Sequence, residues 1–161
     1  MSIRFASLLK TLLFTITVPG TVAGLLPCWI RGGAVSLSGG QRFGAMVVIT
    51  IGVAIYLYTA FWGFAWIGGG TPAPIAPTKV LVVQGLHRFV RNPMYIGVFL
   101  VVGGQVWLFH SLAVAIYLGG CCLIVHLFVL FYEEPTLRKQ FGRQYNDYVA
   151  AVPRWIPKVP H

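Results

Sequence analysis

Long stretches without Asp, Glu, Lys or Arg set the pattern of this chain. Residues 11–30 (TLLFTITVPGTVAGLLPCWI) and 43–67 (FGAMVVITIGVAIYLYTAFWGFAWI) are two of them. Each is about one bilayer crossing long, because a transmembrane helix needs ~20 apolar residues. Residues 92–132 form one uncharged run of 41. A single helix of that length would measure roughly 60 Å, twice the hydrocarbon core, so the run must fold back on itself. His110 and Ser111 are its most polar point, which predicts helices over about 94–109 and 112–132. The expected fold is an all-α integral membrane protein with four transmembrane helices, the last two forming a hairpin.

Between the second and third spans, GGGTPAPIAP (68–77) concentrates glycine and proline and breaks the helix. A short β-branched run, KVLVVQG, follows, and then LHRFV, a candidate helical turn in the interface. Backbone of this kind is tolerated at membrane depth only where protein buries it or where it lines a cavity, which hints at a pocket. After Tyr132, Leu137, Phe141, Tyr145, Tyr148 and Val149 recur at spacings of three and four. That spacing predicts an amphipathic C-terminal helix on the cytoplasmic surface, ended by Pro153, Pro157 and Pro160, with Arg154 and Trp155 as an interfacial anchor. No internal repeat is visible. The chain reads as a single membrane domain, 1–67 supplying two N-terminal spans and 68–161 a cofactor-binding catalytic core.

Composition supports lipid as the solvent: 57% of the 161 residues are hydrophobic and 9% charged. Arg4 and Lys10 before an apolar stretch, with the small residues of TVAG, also suit a cleaved signal peptide. The stretch continues unbroken through Leu25, Leu26 and Trp29, which fits a retained span better. With four spans, ten basic residues (Arg4, Lys10, Lys79, Arg88, Arg91, Arg138, Lys139, Arg143, Arg154 and Lys158) share one face and two (Arg31 and Arg42) the other. That bias predicts cytoplasmic termini. The net charge of +9 then reflects topology and contact with anionic membrane lipids rather than a nucleic-acid-binding patch. Cys28, Cys121 and Cys122 have no metal-site or disulfide spacing and read as packing residues. Gly20 with Gly24, and Gly40 with Gly44, match the small-residue pattern of close helix pairs.

One cluster of polar residues stands out in this apolar chain. Asn92 and Pro93 make a good helix start, with asparagine capping the free amides and proline at the first turn. That positive helix end, with Arg91 beside it, suits an anion. The hairpin returns Glu133 and Glu134 to the same face, so RNPMY and the glutamate pair become neighbours. A ligand both anionic and cationic would fit between them. Equally, Arg88 and Arg91 suit lipid phosphates, and Glu134 suits an ordinary i,i+4 pair with Arg138.

The residues GTPAPIAPTKVLVVQGLHRFVRNPMYIG, followed by EEPTLRKQFGRQYNDYVAAVPRWIP, resemble the isoprenylcysteine carboxyl methyltransferase and phospholipid methyltransferase superfamily of integral membrane enzymes. The resemblance covers about residues 68–157, and the first two spans carry no part of it. It implies S-adenosylmethionine as cofactor and a lipidic or hydrophobic methyl acceptor. It implies cofactor contacts at Lys79, Val80, Leu81 and Val82, which would line the nucleoside pocket, and at His87, Asn92, Pro93, Tyr95 and Glu133. Within it Glu133 would meet the amino group or ribose, and the Asn92 helix start the carboxylate. Arg91 and Glu134 are the candidate catalytic residues, with Glu134 or His87 the proton acceptor where the methyl acceptor needs one. Gln105 and His126 are candidate substrate contacts, each of which also reads as a hydrogen bond between helices.

Two positions depart from the superfamily pattern. Asn92 stands where histidine is common, and Val129 stands where prenylcysteine enzymes carry an arginine that would engage a substrate carboxylate. The second weakens a prenylcysteine carboxylate as the acceptor and leaves cofactor binding untouched. Two rival readings remain: an NADPH-dependent membrane reductase of the sterol reductase type, which would ask for more phosphate-binding basic residues than Arg88 and Arg91, and a noncatalytic lipid-binding protein.

Overall fold

A computed structural model describes residues 2–33, 37–68 and 80–159, with side chains from residue 7 onward. Lys79 and most of the glycine- and proline-rich loop lie outside the described residues. Among the described residues seven α-helices follow in chain order: α1 (Ser2–Pro19), α2 (Leu26–Ile30), α3 (Gly39–Leu57), α4 (Pro93–Phe109), α5 (Leu112–Phe128), α6 (Glu134–Phe141) and α7 (Arg143–Ala151). No strand occurs among the described residues. π-helical segments at Gly20–Leu25 and Val129–Glu133 join α1 to α2 and α5 to α6, and a third, Tyr58–Ile67, extends α3. Three continuous helices, Ser7–Ile30, Gly39–Ile67 and Leu112–Phe141, are long and apolar enough to cross a membrane, and Pro93–Phe109 is a shorter apolar helix. Their outward faces carry large apolar side chains such as Leu25, Phe43, Ile116 and Phe131, as a lipid-facing surface requires.

Two of the π segments have a cause legible in the chain. Each stops two residues short of a proline, Pro27 or Pro135. Proline offers no N–H to the carbonyl four residues back and its ring crowds it, so the preceding turn widens. The carbonyl orphaned by Pro27 is that of Ala23. It accepts instead from Gln105 Nε2 of α4, at 2.5 Å, while the neighbouring Val22 carbonyl accepts from Tyr117 Oη of α5 at 2.8 Å. Buried side-chain amides and hydroxyls thus satisfy backbone groups that no water would reach. Gln105 thus bridges α4 to the first span, and it lines neither lobe of the cleft described below.

α3 and α4 pack closely. Ser38 and Gln41 form a reciprocal capping box at the start of α3. A Cβ on Gly52 would lie 2.6 Å from the Gly97 carbonyl oxygen, and one on Gly97 2.8 Å from that of Gly52. Gly104 fits against Ala45 and Ile49 in the same way. The close approach therefore uses Gly52, Gly97 and Gly104. Gly24 and Gly40 meet nothing within 4 Å and Gly20 meets only its own helix, although Gly44 does lie under the Trp107 ring.

The hairpin turns where polarity predicts. α4 ends at His110, whose φ of 46° is left-handed, and Ser111 caps α5 by accepting from the Val114 amide. Val102 and Val114, fully buried, pack between the two helices against Ala23. Two expectations fail beyond the hairpin. The helix continues past the glutamate pair to Phe141 instead of stopping there, and the amphipathic helix is two helices divided at Gly142, whose φ is 54°. Arg154 and Trp155 do not project as an anchor either. The segment after α7 turns back over the start of α4, where the Arg91 amide donates to Pro153 O and the Lys158 amide to Phe89 O, both at 2.9 Å.

Candidate functional site

The start of α4, the end of the α5 helix, the 3-10 turn Gly85–Arg88 and α7 converge on one cleft. It encloses about 520 Å3, its open mouth included, and its lining contains Leu81, Val82, His87, Arg91, Asn92, Glu133 and Glu134. A smaller lobe of about 210 Å3 shares His87, Arg91, Asn92 and Glu133 and adds Pro93, Met94 and Tyr95. Residues some 40 positions apart in sequence thus come together. Val80 is exposed and outside the lining, Lys79 lies outside the described residues, and Gln105 and His126 do not line either lobe.

The two adjacent glutamates do different things. Glu134 is buried and fully engaged: Oε1 accepts from Arg91 Nη1 at 2.9 Å and Arg154 Nε at 2.6 Å, and Oε2 from Arg154 Nη2 at 3.0 Å. Arg154 grips it in bidentate fashion, so the local Glu134–Arg138 pair is displaced by a contact 20 residues away. Both oxygens being held, Glu134 has the geometry of an anchor, which speaks against its use as a proton acceptor. Glu133 belongs to none of the ion pairs among the described residues, and its Oε2 accepts from Tyr95 Oη at 3.1 Å.

Arg91 completes the arrangement. Its side chain is only 10% exposed, and its Nε has no hydrogen-bond partner. The cluster of Arg91, Glu134 and Arg154 carries one positive charge in excess, while Glu133, lining the same cleft, joins no ion pair among the described residues. A cleft holding one unbalanced cation and one unbalanced anion is the complement of a zwitterion, because burying either charge alone is costly.

Asn92 is where the sequence reading needs correction. α4 does begin at Pro93, but the Asn92 side chain caps nothing; its Nδ2 donates to Arg154 O at 3.2 Å. The cap expected of asparagine is lost because the returning C-terminal segment offers a carbonyl that takes its donor. The first-turn amides of α4 are left without a side-chain cap, which is the arrangement that receives anions.

His87 is 6% exposed, with Phe64 edge-on to its ring at 5.7 Å. Burial lowers its pKa from 6.5 to about 4, so the ring is neutral at physiological pH and a weak proton acceptor. Tyr148 Oη donates to the His87 carbonyl at 2.8 Å, fixing the 3-10 turn on α7. Burial pushes the phenols of Tyr145 and Tyr148 up, so both stay protonated donors.

His126 lies behind the site. Its Nδ1 accepts from Trp155 Nε1 at 3.0 Å, and Trp155 packs near Tyr95 and Phe99. Sequence reasoning missed Arg154, Trp155, Phe64, Leu137, Tyr145 and Tyr148. The last three appeared in it only as an apolar helix face, and the signal was available in the run EEPTLRKQFGRQYNDY, whose aromatic pair falls on the cleft side of α7. Val129, noted as a departure, is 1% exposed and lines the cleft.

Residues 41–144, well over half of the chain, match the family model described as phospholipid methyltransferase. An Arabidopsis thaliana protein named Protein-S-isoprenylcysteine O-methyltransferase B is 36% identical over 83 residues, an alignment that covers 49% of this chain and 40% of that protein. The match thus spans less than half of the relative's length.

Proposed function

Because the chain belongs to the phospholipid methyltransferase family, we propose that it transfers a methyl group from S-adenosylmethionine to a lipidic or hydrophobic acceptor within the membrane. The observation that carries this reading is the paired imbalance of charge in the cleft: the Arg91, Glu134 and Arg154 cluster carries one excess positive charge, and Glu133 joins no ion pair among the described residues. The methionine end of the cofactor is a zwitterion.

When bound, the cofactor supplies a methyl carbon already activated by its sulfonium. The protein's task is then alignment and exclusion of water. The Arg91 guanidinium and the first-turn amides of α4 would hold the carboxylate. Glu133, oriented by Tyr95, receives the ammonium. Leu81, Val82 and Phe64 would provide the apolar wall for the nucleoside, with neutral His87 lining both lobes. Since Glu134 is held by two guanidiniums and His87 is a weak base, an acceptor that arrives ionised suits this site best.

In the membrane the reading has four spans, with α4, 17 residues and about 26 Å long, as the shortest. Residues 1–67 give two supporting spans and 68–161 the catalytic core. The bias of basic residues puts the termini and the cleft at the cytoplasmic face, where an acceptor reaches the cleft from the bilayer. Titration calorimetry of the purified protein with S-adenosylhomocysteine and with NADPH tests this. Binding of the first alone supports the methyltransferase reading, binding of the second alone replaces it with a reductase, and binding of neither sinks the enzyme reading. Radiolabelled donor incubated with membrane lipid extracts then identifies the acceptor class.

A further inference from the structure

A groove between the first span, α3 and α4 shares no lining residue with the cleft and encloses about 570 Å3, its open mouth included. Ala23 and Tyr56 in its lining are buried, whereas Gly20, Gly24, Val53 and Leu57 are exposed and make it continuous with the lipid-facing surface of the spans. Two contacts hold its walls in place. The Thr15 and Tyr56 hydroxyls lie 3.0 Å apart, tying the first span to α3, and Gln105 Nε2 donates to Ala23 O, tying it to α4. Between and beyond these ties no neighbouring helix closes in. A Cβ on Gly20 would meet only its own helix, and one on Gly24 would meet nothing within 4 Å. The groove is therefore preformed, and part of its wall is the widened turn before Pro27.

Its depth and chemistry select the occupant. Val53 is the central residue of the 29-residue helix Gly39–Ile67, so the groove sits near the middle of that span. Thr15 Oγ1 donates to Thr11 O at 2.7 Å and accepts from Tyr56 Oη, which leaves both lining hydroxyls satisfied within the protein. An apolar space at that depth takes hydrocarbon rather than water. Along the first span the lining runs from Thr15 to Gly24, about 14 Å, close to the ~15 Å that one leaflet contributes to the hydrocarbon core. We propose that the groove holds one hydrocarbon chain of a resident bilayer lipid, which completes the packing of the first span on α3 and α4. This site stands independently of the methyl-donor reading.

The test uses the full chain in phosphatidylcholine vesicles doped with phosphatidylcholine that carries a diazirine midway along one acyl chain. After irradiation, adducts are mapped by mass spectrometry on wild type, Gly24→Leu and Val53→Phe, with circular dichroism reporting the fold. Ile116 and Ile124, exposed on α5, read ordinary contact with the bilayer. In wild type the adducts are expected to concentrate on 19–24 and 98–101 over those α5 positions. Each longer side chain fills the groove from an opposite wall and is expected to lose the groove adducts while keeping those on α5, so one variant carries the test if the other does not fold. Groove labelling no greater than that of α5, or groove adducts unchanged in both variants, overturns the proposal. Unlabelled groove residues beside a labelled α5, as a second copy of the chain seated there would leave them, overturn it too. Adducts that become methylated when S-adenosylmethionine is added would make the occupant the methyl acceptor and overturn its assignment as a resident lipid.

Discussion

Replacing Glu134 by alanine would leave two guanidiniums facing each other over a gap. The perturbation removes three charge-assisted hydrogen bonds, at 2.6, 2.9 and 3.0 Å. Arg91 is 10% exposed and has a second donor already without a partner, so it gains nothing in exchange; Arg154 is 27% exposed and recovers some hydration. Breaking a buried pair from one side costs about 3–5 kcal/mol, and the partial exposure of Arg154 argues for the lower end, about 3 kcal/mol. For a chain of this size that corresponds to a fall in Tm of roughly 6–12 °C. Glu133→Ala in the same helix loses one hydrogen bond from Tyr95 and is expected to cost about 1 kcal/mol. Thermal unfolding of both variants in one detergent, followed by circular dichroism, reads the contrast. Equal Tm values for the two variants would refute the assignment of an anchoring role to one glutamate and a ligand-facing role to the other.

Other consequences can be measured in the same preparation. Gly97→Ala would put a methyl 2.8 Å from both the Gly52 carbonyl and the Tyr56 amide, and is expected to destabilise by about 1–3 kcal/mol, whereas Gly24→Ala, with open space around it, is expected to be neutral. His87 titrates near 4 when folded and near 6.5 when unfolded, so the unfolded chain binds the extra proton first as pH falls. Stability is therefore kept above about pH 6.5 and lost progressively towards pH 4, by about 3 kcal/mol; melts at both pH values should show a smaller loss for His87→Gln than for wild type.

Much of the scaffold was legible before any coordinates because apolar length and a single polar break are strong, local signals. The turn at His110 and Ser111 followed from a run too long for one crossing, and the meeting of RNPMY with the glutamates followed from that turn. What escaped depended on contacts between distant segments. Glu134 has an arginine four residues away and another 20 away, and sequence spacing favours the nearer, while burial selects Arg154. Asn92 before Pro93 has the pattern of a helix cap, yet its amide serves a carbonyl delivered by the chain's other end. Glycine spacing within one helix says nothing of which neighbour approaches, so the pairs at Gly20 and Gly40 drew the eye while Gly52 and Gly97 made the crossing. Gln105 meets the Ala23 carbonyl, which Pro27 cannot serve, and that partner lies 82 residues away in sequence, where spacing carries no signal.

The central claim is that Glu133, oriented by Tyr95, and the excess positive charge of the Arg91 cluster recognise the two charges of the methionine end of the methyl donor. It is tested most directly by calorimetric titration of S-adenosylhomocysteine into wild type, Glu133→Ala and Tyr95→Ala. Each substitution is predicted to weaken binding about tenfold or more, as loss of a hydrogen bond to a charged group does, with helical content unchanged. Wild-type affinity in both variants would contradict the account and move the binding site elsewhere.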